Sequence, residues 1–253
     1  MRCVAVFTIL ALAACGGGSP PPGGNATCPA TTTGPTLHGN DLRADEHWTA
    51  DKSPHVVTQG INVYPGVTLT IDPCSTVQLA AAATIDVSGS LVAEGTATQR
   101  IQFMPKDAQP WAYMRFRAPG VSRLAYATVT GGGGGGNSGG PNSYHGTSLL
   151  LWGTAADQPQ PSLKVTSVRV EHSAGLGVYL DTGGAFTDDS SDLTITQSGN
   201  ATDPFPMNAE MRDAYSIPAG SYTGNVTDEI WIDQDLAYYT TSTALHIAAC
   251  RTG

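Results

Sequence analysis

Short β-prone runs recur between residues 55 and 130 at a nearly constant spacing. Each run has about four residues and ends at Gly, Pro or a small polar residue, as expected for short strands separated by turns. Leu-Thr-Ile at 69–71 recurs as Leu-Val-Ala at 91–93, and Val-Gln-Leu at 77–79 recurs as Ile-Gln-Phe at 101–103. Ile101 is followed at the same spacing by Leu124.

A repeat of about 22–24 residues that holds three short strands matches one coil of a parallel β-helix. Each coil has a row of Ile, Leu and Val that it cannot bury alone. Stacking the coils closes a core and pairs every strand with the coil above and below. The sequence therefore predicts an all-β, single-stranded parallel β-helix, a solenoid of short strands.

An antiparallel β-sandwich is the competing interpretation, because sandwiches also have short strands at regular spacing. Sandwich strands are usually longer and often joined by two-residue turns such as Asn-Gly. No Asn-Gly pair lies between the β-prone runs of this chain. The pattern thus favours the β-helix.

Composition agrees with a secreted, acidic β protein. The chain has 30 Gly and 17 Pro among 253 residues, and 12 Lys and Arg against 21 Asp and Glu, for a net charge of −9. An acidic chain without a basic stripe does not suit nucleic acid or anionic lipid headgroups. We therefore expect no nucleic-acid partner.

At the N-terminus, Arg2 precedes an apolar stretch at residues 4–12, too short to span a bilayer, and the run Leu-Ala-Ala-Cys ends at Cys15. This pattern resembles a bacterial lipoprotein signal. The resemblance implies a signal peptide at residues 1–14 and a diacylglycerol on Cys15, with the alternative of an ordinary secretory signal. A Gly/Pro-rich tether at 15–35 and a β-helix domain at 36–253, with an N-terminal cap and a C-terminal tail, would follow. Gly16 rather than Asp after the cysteine favours the outer membrane.

Several segments made of turn and core residues have a recognisable pattern. They are Trp-Thr-Ala-Asp-Lys at 48–52, Pro-Gly-Val-Thr-Leu-Thr-Ile-Asp-Pro-Cys at 65–74, residues 87–96 and 101–103, Pro110–Trp111, residues 124–126, the glycine run from Gly131, and residues 174–180 and 220–225. Together they resemble a family of bacterial surface lipoproteins, of a myxobacterial type, that have a right-handed parallel β-helix of the pectate-lyase-like fold. The resemblance implies a right-handed solenoid over about residues 48–232. It implies little about activity.

The C-terminal tail departs from this pattern. After Ile-Trp-Ile at 230–232 the chain becomes rich in Tyr, Thr and Ala and ends near Cys250. Two interpretations stay open: the tail covers the last coil, or the reading frame is shortened. An uncovered end would expose unpaired strand edges.

The cysteines allow one disulfide. Cys3 lies in the signal and Cys15 is the expected lipid site, so Cys28, Cys74 and Cys250 remain. In an oxidising compartment one pair is expected. Cys28 with Cys74 is favoured because both lie in the same part of the chain, while either of them with Cys250 is the alternative. No Cys-x-x-Cys spacing exists, so we expect no zinc or redox site.

Enzymatic sites have to be considered because parallel β-helices include polysaccharide lyases and hydrolases. A lyase of that kind would need outward acidic residues for calcium and an Arg or Lys as base. The candidates are Arg115, Arg117 and Arg123, and Asp181, Asp188, Asp189 and Asp192. Their spacing fits strands and turns, so a solvated face is the favoured interpretation and we expect no catalytic residue, metal site or cofactor.

Other motifs are weak. The string Gly-Asn-Ser-Gly-Gly at 136–140 lies in a glycine run that matches any glycine motif by chance. The six histidines show no metal-binding spacing and are interpreted as surface or turn residues. The insertion at 131–146 has aromatic neighbours, Tyr144, Trp111 and Trp152, that would suit sugar rings, although packing residues beneath a loop are the favoured interpretation.

These observations predict a lipoprotein of the bacterial cell envelope, in the outer membrane and facing the periplasm or the surface. Its partners would be the membrane, through the N-terminal lipid, and a polysaccharide or a surface protein. The favoured function is a non-catalytic surface, adhesion or carbohydrate-contact module. The alternatives are a carbohydrate-active enzyme and a fragment of a longer surface protein with no independent role.

Overall fold

A computed structural model of the chain describes residues 27–135, 146–154, 159–181 and 183–197, and the backbone of two further strands at 229–234 and 243–248. These residues form an all-β protein whose only helical element is the short 3-10 turn Ala50–Lys52. Among the described residues, no helix is both long enough and apolar enough to cross a membrane.

The strands are short because apolar and polar residues alternate over only a few positions before a turn residue. In Thr68–Ile71 the side chains of Leu69 and Ile71 are buried, whereas the two threonines are half-buried. Thr76–Leu79 repeats this pattern. Gly66 has a φ of +78° in the turn that precedes Thr68–Ile71, a conformation that favours glycine.

The strands stack in three parallel ladders. The first contains β2 (Glu46–Trp48), β5 (Thr68–Ile71), β8 (Ser90–Glu94), β11 (Ser122–Ala125), the first part of β14 (Gln160–Glu171) and β16 (Gly184–Phe186). The second contains β1 (Thr36–His38), β3 (His55–Val57), β6 (Thr76–Leu79), β9 (Ile101–Pro105), β12 (Ala127–Thr130), the last part of β14 and β17 (Ser191–Thr196).

The third ladder contains β4 (Ile61–Val63), β7 (Thr84–Val87), β10 (Tyr113–Arg117), β13 (Thr147–Trp152), β15 (Leu176–Asp181), β18 (Glu229–Gln234) and β19 (Thr243–Ala248). The first two ladders share β14 and form a twelve-stranded sheet, here sheet A. The third is a seven-stranded sheet, here sheet B. All pairs are parallel except β18 with β19, which is antiparallel.

The antiparallel β19 differs from the parallel stacking expected throughout the domain. It lies along β18, which itself pairs with β15 at the end of sheet B. A strand in this position covers a backbone edge that would otherwise present unpaired N–H and C=O groups.

The register confirms one of the three expected recurrences and corrects two. Leu69 pairs with Leu91, as expected. Val77 pairs with Phe103 rather than Ile101, because the step from β6 to β9 is 26 residues, two more than the 24 expected. Since side chains alternate with a period of two, this shift keeps the same face inward.

The expected step from Ile101 to Leu124 is wrong because the two residues belong to different ladders. Ile101 pairs with Ala127 in the second ladder, whereas Leu124 pairs with Ala93 and Val165 in the first. Leu124 and Val165 lie much farther apart in the chain than Leu69 and Leu91 do, since the connections lengthen after β12. The repeat expected from the sequence therefore describes the early strands and not the later ones.

One apolar cluster joins the inward side chains of both sheets. Trp48 lies near its N-terminal end, and Phe103, Phe116 and Phe186 are fully buried along it. Burying such side chains contributes about 1.5–3 kcal/mol each. The inward rows therefore supply the main favourable term for stacking.

A disulfide joins Cys28 to Cys74, with a Cα–Cα distance of 5.5 Å. This is the pair that the sequence favours. It closes a loop with a sequence separation of 46 and ties the N-terminal segment to the turn between β5 and β6. Cys250 lies outside the described residues.

Candidate functional site

The outer face of sheet B carries charged and aromatic side chains on adjacent strands. In β10, Met114 and Phe116 point into the core, so Tyr113, Arg115 and Arg117 point outward. Strand register places Asp86 of β7 beside Arg115, and Trp152 of β13 beside Arg117. We call Asp86, Tyr113, Arg115, Arg117 and Trp152 the arginine–tryptophan site.

Asp86 is held by both arginines. Arg117 donates to it from Nε at 2.9 Å and from Nη2 at 3.3 Å, and Arg115 donates from Nη2. The side chains of Asp86 and Arg115 are 10% and 13% exposed, whereas that of Arg117 is 35% exposed. Two guanidinium groups therefore share one carboxylate, and Arg117 is the member that solvent reaches most.

The guanidinium groups also lie over aromatic rings. The Cζ atoms of Arg115 and Arg117 are 5.1 and 5.0 Å from the centre of the Trp152 ring, and Arg115 is 5.5 Å from that of Tyr113. Both distances to Trp152 are within the range for cation–π attraction. Burial raises the pKa of Tyr113, with Arg117 opposing the effect, so its hydroxyl remains a donor at neutral pH.

An open cavity of about 560 Å³ adjoins this site at the turns that lead from sheet B to sheet A. Among the described residues that line it, Arg117 is the only charged one. Its other walls are three turns and the start of two strands, made up of Pro65, Gly66, Val67, Thr68, Ser88, Gly89, Ser90, Ala118, Pro119 and Gly120.

Glycine is required where these turns stack. A Cβ added to Gly89 would lie 2.2 Å from the carbonyl oxygen of Val67, and one added to Gly120 would lie 2.3 Å from that of Gly89. Such contacts involve backbone that cannot move aside cheaply. The close approach of the turns therefore fixes the floor of the cavity, and its volume lies in the range of small-molecule sites.

The outer face of sheet B is covered beyond Trp152. Leu150 and Tyr179 alternate with core residues and so point away from the main core, yet they are at most 4% exposed. With Leu176 they form a second apolar cluster. Among the described strands, the accessible part of this face thus runs from Asn62 of β4 to Trp152 of β13, and the cavity adjoins it at the turns.

The chemistry of the arginine–tryptophan site suits recognition. It presents planar N–H donors, a phenol hydroxyl and an indole ring over a rigid sheet. Both oxygens of Asp86 already accept hydrogen bonds from arginine. Aromatic rings beside hydrogen-bond donors match ligands that have apolar faces and hydroxyl groups.

The structure separates the three arginines that the sequence grouped. Arg115 and Arg117 share Asp86, but Arg123 lies on sheet A, where its Nε is 3.0 Å from Glu94 Oε1 and both side chains are nearly half exposed. The expectation of a solvated face therefore holds for Arg123. It is wrong for Arg115, which is largely buried.

The four aspartates of the calcium hypothesis do not form a metal-binding group. Asp181 ends β15, and Asp189 lies in a later turn where it accepts a hydrogen bond from Lys164. Within the described ranges, no group of three or more His, Cys, Asp or Glu residues is arranged to hold a metal ion.

Two histidines are not the surface residues that the sequence suggested. His55 is 1% exposed, and the Trp48 ring stacks on His38 at a centroid distance of 3.9 Å and on His55 at 5.2 Å. His38 Nε2 and His55 Nδ1 are 3.0 Å apart, and His55 Nε2 is 2.9 Å from the carbonyl oxygen of Thr49. We call His38, Trp48 and His55 the histidine–tryptophan stack.

The remaining histidines and aromatic candidates have separate positions. His47 is exposed and 2.6 Å from Asp72, and His172 lies in a turn with a φ of 55°. Trp111 is fully buried, as expected for a packing residue, and its Nε1 donates to Thr130 O. Trp152 instead points outward. The side chains of His145, His246 and Tyr144, and the string at 136–140, lie outside the described residues.

Cys15, the signal predicted at 1–14 and most of the predicted tether also lie outside the described residues. No protein-family model, curated protein or solved structure matches this chain.

Proposed function

We propose that this protein is a lipid-anchored, non-catalytic module of the bacterial cell envelope, built as a right-handed parallel β-helix, that contacts carbohydrate through the arginine–tryptophan site. The observation that carries the contact function is the pair of guanidinium groups over the Trp152 ring, beside an open cavity. The three parallel ladders support the solenoid, because each connects one strand per coil.

The anchor is proposed from the run that ends at Cys15. Acyl chains on that cysteine would hold the protein, since each buried methylene contributes about 0.8 kcal/mol and stable anchoring takes two chains. Cys28 is fixed to Cys74, so the spacer between the lipid and the folded domain would run from Cys15 to Cys28. A Gly-rich chain of that length spans roughly 20 Å.

Carbohydrate is the ligand class that the site fits. Sugar rings have apolar C–H faces that pack on indole, and hydroxyl groups that accept hydrogen bonds from N–H groups. The cavity adds hydroxyl side chains at Thr68, Ser88 and Ser90. Arg117 belongs both to the cavity wall and to the arginine–tryptophan site, so one ligand can contact both.

The anchor is tested by Cys15→Ala in a bacterial host. The variant should fold as the wild type does and move from the membrane fraction to the soluble fraction, without acyl mass on its N-terminus. Retention in the membrane fraction, or an unacylated wild-type protein, would contradict the anchor.

Carbohydrate contact is tested by affinity electrophoresis of the mature chain in gels that contain neutral or acidic polysaccharides. We expect retardation by at least one polysaccharide and a loss of retardation in Arg117→Gln. Arg123→Gln is the matched control, because Arg123 is also an outward arginine on a strand but pairs with exposed Glu94. Unchanged mobility of the wild type in every gel contradicts the proposal, and release of reducing or unsaturated sugars would favour the enzyme alternative.

A further inference from the structure

The histidine–tryptophan stack lies where the N-terminal segment meets the first strands. Residues 32–38 run beside the turn at 49–54: the amides of Thr32 and Thr36 donate to the carbonyl oxygens of Asp51 and Pro54 at 2.8 and 3.0 Å. The Thr36 hydroxyl donates to Lys52 O at 3.1 Å. β1 therefore depends on the conformation of this turn.

His55 connects the turn to β1. Its Nε2 is within hydrogen-bond distance of Thr49 O, a carbonyl that can only accept, so Nε2 carries a proton. In the neutral pair His55 Nδ1 then accepts from His38 Nε2–H. The imidazole of His55 is therefore bonded to β1 through Nδ1 and to the turn through Nε2.

This arrangement accepts one added proton but not two. When one proton is added, His55 is charged and donates from both ring nitrogens. His38 stays neutral and carries its own proton on Nδ1, which is 3.9 Å from Glu46 Oε2. When two protons are added, the donors His38 Nε2–H and His55 Nδ1–H face each other, and the centroids of two positive rings lie 5.3 Å apart. The second proton therefore removes the side-chain hydrogen bond between His38 of β1 and His55 of β3.

The charges around the stack do not remove this conflict. Glu46 faces His38, and its Oε2 already accepts from Trp48 Nε1 at 3.0 Å. His55 is also near three charged side chains: Lys52 and Asp51 in the turn, and Asp72 at the end of β5. Lys52 lowers the pKa of His55 and the two aspartates raise it, so these effects oppose each other. Burial, followed by the charge of His55, lowers the pKa of His38 to about 4, and burial also lowers that of His55.

We propose that the histidine–tryptophan stack is an acid-sensitive junction, which releases residues 29–38 from the first strands when both histidines are protonated. The disulfide at Cys28 keeps the released segment attached to the domain. Release of β1 would uncover the backbone edge of β3, to which β1 is paired. This inference does not depend on the carbohydrate proposal.

The test is hydrogen–deuterium exchange with mass spectrometry on the mature chain at pH 7 and near pH 4, corrected for intrinsic exchange rates. We expect amides of residues 32–38 to exchange at least about tenfold faster at the lower pH, while amides of β6 and β9 stay protected. Equal protection of residues 32–38 at both pH values overturns the proposal. Loss of protection in β6 and β9 together with residues 32–38 also overturns it, because it indicates global unfolding.

His38→Gln is the decisive variant, since its amide can donate to His55 Nδ1 and does not titrate. It should keep residues 32–38 protected near pH 4. His47→Gln is the matched control, because His47 is an exposed histidine of the neighbouring strand β2, and it should exchange like the wild type. Acid-induced exchange of residues 32–38 that persists in His38→Gln contradicts the inference, provided near-UV circular dichroism at pH 7 shows a native fold.

Discussion

The histidine–tryptophan stack and the arginine–tryptophan site use similar parts in different surroundings. Each places a tryptophan against two planar nitrogen groups. In the stack these groups belong to His38 and His55 of the paired strands β1 and β3, whereas Arg115 and Arg117 both belong to β10. Trp48 is 2% exposed and its partners are uncharged at neutral pH, whereas Trp152 is only partly buried and its partners are arginines.

Burial decides which chemistry each site can have. A histidine in a dry environment loses its charge, since burial lowers its pKa. Arginine cannot do so, and it needs a partner such as Asp86. The first site therefore contributes packing, while the second keeps charge at an accessible surface and is suited to contact.

The largest effect that separates the two sites is expected from truncating the tryptophans. Trp48→Ala should lower the free energy of unfolding by about 3–5 kcal/mol, because it leaves a cavity in the core. Trp152→Ala should lower it by about 1 kcal/mol, the scale of a partly exposed cation–π contact. Guanidinium-induced unfolding measures both, and equal losses would show that the two tryptophans have the same role.

The next effect is the pH dependence of stability. The pKa of His38 is 6.5 when the chain is unfolded and about 4 when it is folded, so between these values the unfolded chain binds a proton that the folded chain does not. The free energy of unfolding should therefore fall as pH falls through this window, by roughly 3 kcal/mol from His38. Urea unfolding of the wild type and His38→Gln at several pH values measures it, and the same slope in both would contradict the assignment.

A smaller effect is expected from neutralising the carboxylate of the arginine–tryptophan site. Asp86→Asn leaves two guanidinium groups with a neutral partner, which should cost about 1–3 kcal/mol. Glu94→Gln is the matched control at the exposed pair with Arg123, where about 0.5 kcal/mol or less is expected. Thermal unfolding of both variants provides the comparison, and an Asp86→Asn variant as stable as Glu94→Gln would mean that the pairing at Asp86 is not required.

The early strands could be predicted because their alternating residues and short turns are local features. The later registers could not, since Leu124 pairs with the distant Val165 and the lengths of the intervening connections are not visible as a repeat. The partner predicted for Val77 is wrong by two residues. Because this shift is even, the predicted inward face of the strand is still correct.

The two sites differed in how far the sequence revealed them. His38 and His55 lie 17 residues apart and meet only because β1 pairs with β3, so their spacing resembled no motif. Arg117 and Trp152 were both candidates, but in separate hypotheses. Asp86 lies in a β-prone run, and its two arginine partners follow from register rather than from any local signal.

The central claim is that the outer face of β7, β10 and β13 contacts carbohydrate, while the histidine–tryptophan stack does not. The most direct measurement is the affinity of Trp152→Ala and Trp48→Phe for the polysaccharide that retards the wild-type chain most strongly. We predict that Trp152→Ala weakens binding about tenfold or more, and that Trp48→Phe binds like the wild type. Wild-type binding by Trp152→Ala would contradict the claim.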